Sequence, residues 1–310
     1  LRDRNALSAP ALRGVQAAIV CPMRDDGTIH ADDLVIHVTS MCQTAGIGGL
    51  LVNGHAGEGH LLTQSEKRDV LHLVRETATT KTVLTAGVTS EGTVAACEEA
   101  RAAADAGADA VLIFPPNHWS RGVDDRSVVE HHRTVALACG LPVVLYKAPL
   151  GWGTLSYPPQ LIAKLIDIEA VAGIKEGSWD VASYEEVWRL VKTRRPDVSV
   201  MASGDEHLLA CFQIGTDGSQ VSLAAIAPEP VLELYDAVRS KDWAGAKALH
   251  DRIYPLACEI YRRTPTYLAT ARLKAALKLL GRIHSDRVRQ PMRQLEAVEI
   301  ENLSRVLADI

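Results

Sequence analysis

Short apolar runs recur along this chain at intervals of roughly thirty residues, each followed by a segment of helical length. That rhythm constrains the fold more than any single motif. The runs cover 15–20, 49–52, 82–86, 110–114, 142–146, 171–175, 198–202 and 218–222. They are short, apolar and bounded by turn residues, which predicts buried strands. Between them, stretches such as 92–106 and 180–193 carry apolar residues at helical spacing. Three strand entries resemble one another: Ala45-Gly46-Ile47-Gly48-Gly49, Ala106-Gly107-Ala108-Asp109-Ala110 and Ile214-Gly215-Thr216-Asp217-Gly218. In each, the first glycine can take the left-handed conformation that stops a helix. Thr63 with Glu66 predicts a capping box, and Ser90 a cap for the helix after the third strand. Eight such units, nearly all parallel, predict an α/β fold, a closed (β/α)8 TIM barrel.

After the eighth run the rhythm stops. Segments 228–240, 242–263, 268–280 and 285–308 read as helices with no strand between them. The first closes the barrel, and the others form an appendage that covers the core and can build an oligomer contact. The expected organisation is an N-terminal arm (1–14), a catalytic barrel (15–240) and a C-terminal helical domain (241–310).

Composition agrees with one large barrel: 310 residues, 47% of them hydrophobic, are enough for its core. A net charge of −5 supplies no basic field, which argues against nucleic acid or an anionic membrane as partner. No apolar run has the length of a membrane span, and no secretory pattern opens the sequence. The six cysteines are scattered without a Cys-x-x-Cys pair, so neither a disulfide framework nor a zinc site is expected, and a reducing cytoplasm is the expected setting.

In such barrels the reactive groups stand at the carboxyl ends of the strands. Those ends carry Cys21-Pro22, Asn53 to Glu58, Pro115 to Trp119, Tyr146 to Pro149, Lys175-Glu176, Ser203-Gly204-Asp205 and Gln220 to Ser222. Lys175 closes the run that begins at Val171. An amine among apolar walls loses its proton more readily and becomes a nucleophile near neutral pH, as a Schiff base with a carbonyl requires. Tyr146 ends the preceding strand, where its hydroxyl could relay protons. Gly54 to Gly57 suits a tight loop offering N–H groups to a carboxylate.

Taken in order, Gly54-His55-Ala56-Gly57-Glu58, Val144-Leu145-Tyr146 with Pro149, Gly173-Ile174-Lys175-Glu176 and Ser203-Gly204-Asp205 resemble the dihydrodipicolinate synthase/N-acetylneuraminate lyase family of class I pyruvate aldolases. Cys21-Pro22 with Asp26-Gly27, and Lys274 to Gly281, extend the likeness over about 15–307. The resemblance implies a barrel with a C-terminal helical domain, commonly a tetramer built from dimers. It implies that Lys175 forms the imine with a 2-oxo acid, that Tyr146 shuttles protons, and that the 54–57 loop holds the acid's carboxylate. Ile174 and Gly204 should line the floor. Substrate contacts are expected from His55, Ala56, Gly57, Gly204, Gln220, His118 and Trp152, with no metal or other cofactor.

Three departures bear on the substrate. The family's loop after the second strand usually carries two threonines, one in the proton relay; here His55 and Ala56 stand there. His55 could replace that relay, because an imidazole titrates near neutral pH. After the fourth strand, Pro115-Pro116-Asn117-His118 replaces Pro-Pro-Tyr-Tyr. Five residues after the active-site tyrosine, Gly151 replaces the arginine that grips the aldehyde partner's carboxylate, and glycine can form no such clamp. Dihydrodipicolinate synthase activity itself is therefore not expected. If Trp119 and Trp152 wall the pocket, an aromatic or bulky second substrate fits. Lys147, adjacent to Tyr146 on one strand, should point away from Lys175.

The expected activity is a Schiff-base-forming lyase on a 2-oxo acid, with aldol or retro-aldol chemistry and pyruvate as donor or product. Dehydration or deamination through the same iminium is an alternative. A metal-dependent aldolase would draw on His55, Glu58, His118 and Asp205, which lack a recognised ligand spacing. A barrel that binds a metabolite without catalysis is the reading outside enzymology.

Overall fold

The computed structural model of the chain describes residues 12–310. Eight parallel strands close into a barrel in sequence order: β1 Gly14–Ala18, β2 Ile47–Val52, β3 Val83–Val88, β4 Ala110–Ile113, β5 Val143–Lys147, β6 Val171–Glu176, β7 Ser199–Ala202 and β8 Gly218–Val221. Each lies within two residues of its predicted run at both ends. Most of the N-terminal arm expected over 1–14 falls outside the described residues. Outside the strands lie α1 Ala31–Gln43, α2 Gln64–Thr77, α3 Thr93–Asp105, α4 Asp125–Cys139, α5 Pro159–Leu165, α6 Val181–Arg194, α7 Leu208–Ile214 and the short α8 Leu223–Ile226.

The three glycine junctions behave as read: Gly46, Gly107 and Gly215 have φ of 101°, 96° and 135°. Thr63 and Glu66 form the capping box at α2. Ser90 does not cap α3. Its N-cap is Gly92, and the Ser90 hydroxyl donates instead to Glu99, a buried carboxylate that also pairs with Lys67 at 2.7 Å. A charged acceptor outcompetes a helix end.

After α8 come α9 Pro228–Arg239, α10 Trp243–Tyr261, α11 Ala269–Leu279 and α12 Ala297–Leu307. The helix expected over 285–308 exists only in its second half, as α12. Pro291 lacks an N–H and disfavours helix at the residue before it, so the first half stays irregular. That stretch instead lies against the carboxyl face of the barrel. The Arg289 N–H donates to Glu58 at 2.7 Å, and its guanidinium binds Glu66 and the Gly27 carbonyl, each at 2.6 Å. Lys274 of α11 pairs with Glu58, both fully buried. The appendage is thus stitched to the loops that follow β1 and β2. Among the described residues, no helix is long and apolar enough to cross a membrane.

Candidate active site

Parallel register decides which side chains meet. Tyr146 of β5 is the register partner of Lys175 of β6, so both project from the same face of the sheet. The Lys175 amine lies 6.0 Å from the centre of the Tyr146 ring. Both side chains are buried. Burial pushes the Lys175 amine down to about 8, opposed in part by the Asp205 carboxylate. Burial, aided by Glu176 and Asp205, pushes the Tyr146 hydroxyl up, so it is a proton donor throughout the physiological range. Gly177 makes room for the tyrosine: a Cβ there would lie 3.2 Å from its ring and 3.0 Å from the Lys147 carbonyl.

Lys147 points the other way, as the strand period requires. Its amine donates to the Tyr157 carbonyl at 2.9 Å outside the barrel wall, next to its register partner Glu176. Burial lowers Lys147 and raises Glu176 to about 7.

The loop after β2 needs unusual backbone. Asn53 and Glu58 hold φ of 57° and 55°, and a Cβ at Gly59 would sit 1.9 Å from the Asn53 carbonyl oxygen. This tight turn places Ala56 and Gly57 in the interior and sends the His55 ring toward Tyr146. His55 packs 4.3 Å from Phe114, 5.6 Å from Tyr146 and 5.6 Å from Trp152, measured between ring centres. Burial pushes its imidazole down to about 3, helped by His60 and Lys175. At neutral pH it is uncharged, and it does not titrate near 7 as the sequence alone suggested.

The other expected contacts divide. Trp152, 44% exposed, reaches over His55 at the mouth. Trp119 instead is buried against His131 and His132 of α4. His118 is exposed and paired with Glu91 at 3.0 Å, as is the backbone around it. Gln220 is fully buried and donates to Gln16 at 3.0 Å, leaving its own carbonyl oxygen without a partner. Gly204 precedes Asp205 at the end of β7, with the Trp179 and His207 atoms at ordinary contact distance from where its Cβ would be. The four side chains of the metal reading do not converge: Glu58 is held by Lys274, His118 by Glu91, Asp205 by the Leu223 N–H, and His55 stacks among rings. Phe114, packed 4.8 Å from the Tyr146 ring, was missed in the sequence; it directly follows β4 and was within reach of the strand-end rule.

A buried lysine and tyrosine at one end of a barrel narrow the chemistry, and the whole chain narrows it further. Residues 11–310 match the model of the dihydrodipicolinate synthetase family. The chain belongs to that family. It is 32% identical over 270 residues to a 4-hydroxy-tetrahydrodipicolinate synthase of Methanothrix thermoacetophila, covering 87% of each chain. It is 31% identical over 299 residues to an uncharacterized DapA-like lyase of Halobacterium salinarum, covering 96% of this chain and 94% of the other. In three dimensions it resembles YagE, a prophage protein of E. coli solved with pyruvate, at a TM-score of 0.88 and 24% identity, over 96% of this chain and 97% of that one. As a member of the dihydrodipicolinate synthetase family, the protein is a lyase of the class I aldolase type. Gly151 leaves open space: a Cβ there would meet nothing within 4 Å.

Proposed function

We propose that the protein cleaves or forms a carbon–carbon bond in a 2-oxo acid through an imine on Lys175, with pyruvate as product or donor. The observation that carries this is the buried Lys175 amine, lowered to about 8, beside a buried tyrosine at the carboxyl end of the barrel. The neutral amine attacks the C2 carbonyl, and loss of water from the carbinolamine leaves an iminium. The iminium draws the electron pair of the breaking C3–C4 bond, and an aldehyde departs as its hydroxyl loses a proton. The resulting enamine is protonated at C3, and hydrolysis releases pyruvate. Tyr146 is the acid/base group of these steps. The N–H groups of Ala56 and Gly57 hold the oxo acid's carboxylate.

The aldehyde partner in this proposal is uncharged and bulky rather than carboxylated. Gly151 offers no clamp, while His55, Phe114 and Trp152 form an aromatic cluster against Tyr146. A homo-oligomer, dimer or tetramer, and the division into a barrel (15–240) and a helical domain (241–310) belong to the same proposal. Exposed Trp243 and Tyr254 on α10 support an assembly surface.

Borohydride reduction in the presence of pyruvate, read by intact mass and peptide mapping beside Lys175→Ala, tests the reading. A reduced adduct at Lys175, absent from the variant, is expected. No adduct with pyruvate or with any of a panel of larger 2-oxo acids would overturn it.

A further inference from the structure

Lys67 of α2 is a buried basic side chain that the proposed reaction does not use. It is 7% exposed, and its amine lies 2.7 Å from Glu99 of α3, itself 4% exposed. Glu99 is fixed in turn. Besides the amine it accepts from the Thr89 N–H at 3.1 Å, the Ser90 N–H at 3.0 Å and the Ser90 hydroxyl at 2.5 Å. Two further connections run from Lys67 to the turn after β2. Its carbonyl accepts from the Asn53 side-chain amide at 2.9 Å, where the turn begins. Its amine also donates to the Thr89 hydroxyl at 2.6 Å, and that hydroxyl donates to the Gly59 carbonyl at 3.2 Å, where the turn ends. One residue of α2 thus holds both ends of 53–59.

We propose that Lys67, through Thr89 and with Glu99 as its anchor, is a positioning residue for the turn whose Ala56 and Gly57 N–H groups hold the carboxylate of the 2-oxo acid. This rests on the imine reading of Lys175 and on that carboxylate subsite. A buried ion pair adds little stability over an apolar pair of the same volume, because both charges have left water. What it adds is direction, since short charge-assisted hydrogen bonds tie an atom to one place. The turn needs that, because Asn53 and Glu58 hold left-handed φ, which persists only where the surroundings fix it. N–H groups aimed at a carboxylate act only within a narrow range of distance and angle, and a shifted backbone loses both. Thr89 is the joint. It follows β3, and accepting from the amine leaves its single proton for Gly59. Lys67 therefore governs how tightly the oxo acid is held and not the chemistry at Lys175.

The test is borohydride trapping, read as the pyruvate concentration that half-saturates adduct formation and as the maximal trapping rate. Thr89→Val keeps the shape of the side chain and the Lys67–Glu99 pair. It is expected to raise half-saturating pyruvate about tenfold with the maximal rate unchanged. Hydroxyacetone, which carries a hydroxymethyl group where pyruvate has its carboxylate, is expected to trap alike in wild type and variant. Lys67→Met combined with Glu99→Gln, which leaves no buried charge unpaired, is expected to act on pyruvate in the same way. Arg68→Ala, at an exposed ion pair on the same helix, is expected to change neither quantity. Wild-type half-saturation in both Thr89→Val and the double variant would overturn the proposal, as would equal losses with pyruvate and hydroxyacetone, which mark a general loosening of the fold. Should the double variant not fold, Thr89→Val decides alone. A wild-type chain that traps neither compound nor any larger 2-oxo acid would remove the imine reading. Hydrogen exchange of the Ala56 and Gly57 amides would then still decide whether Lys67 and Thr89 hold the turn: faster exchange in Thr89→Val supports it, and an unchanged rate overturns it.

Discussion

Lys175 owes its character to its surroundings more than to its type. An exposed lysine keeps its proton well above neutrality, whereas burial lowers this one to about 8 against the opposing charge of Asp205. Roughly a tenth of it is then the free amine at pH 7, enough to react. Tyr146 needs only its hydroxyl for the proposed proton transfers. Tyr146→Phe is expected to fold normally and to slow adduct formation and turnover by about 10²- to 10⁴-fold. Stopped-flow trapping against intact mass would measure it, and a wild-type rate would remove the tyrosine from the mechanism. His55 shows the opposite lesson. Its place at a strand end was legible in the sequence, but its lost basicity follows from packing against Phe114, Tyr146 and Trp152, which no local pattern announces.

At the scale of elements, the turn from Asn53 to Gly59 sets the geometry of the pocket. It is held from beneath by close backbone contact and from above by the appendage, since Glu58 takes the Lys274 amine and the Arg289 N–H. A Cβ at Gly59 would lie 1.9 Å from one backbone oxygen and 2.7 Å from its carbon, neither of which can swing aside. Gly59→Ala is expected to cost about 3 kcal/mol in urea unfolding, while Gly151→Ala, which opens into free space, should change stability by no more than about 0.5 kcal/mol. Equal stability of the two variants would mean that the turn is not under this constraint. Period and turn residues made the barrel elements legible. The irregular stretch ahead of α12 was not, because its charged residues looked like a helix face until Pro291 and the pull of Glu58 and Glu66 were set against it.

For the whole molecule, buried ionisable groups couple folding to pH. His37, His131 and His132 are pushed down to about 4 and His55 to about 3, mainly by burial, against an ordinary value of 6.5. Between about 6.5 and 4 the unfolded chain holds protons there that the folded chain does not, so stability falls as pH falls. Glu176 and Asp205, raised to about 7 and about 6, act in the opposite sense, because their folded forms bind the proton more tightly. Four histidines outweigh two carboxyls, and stability is expected to drop by roughly 1–3 kcal/mol per pH unit from pH 6 to 4.5. Urea unfolding across that range checks the slope; a flat or rising profile would show that these histidines are not held neutral. The repeated run of apolar strand and glycine-stopped helix was enough for the barrel, its strand order and the face where Lys175 and Tyr146 meet, because period and chain direction alone settle which end of each strand carries which residue. Folding in space was needed for everything that joins distant segments: Tyr261 onto Ser222, Lys274 onto Glu58, the rings around His55. Burial and charge act through distance in three dimensions, and those distances are set only when the chain closes.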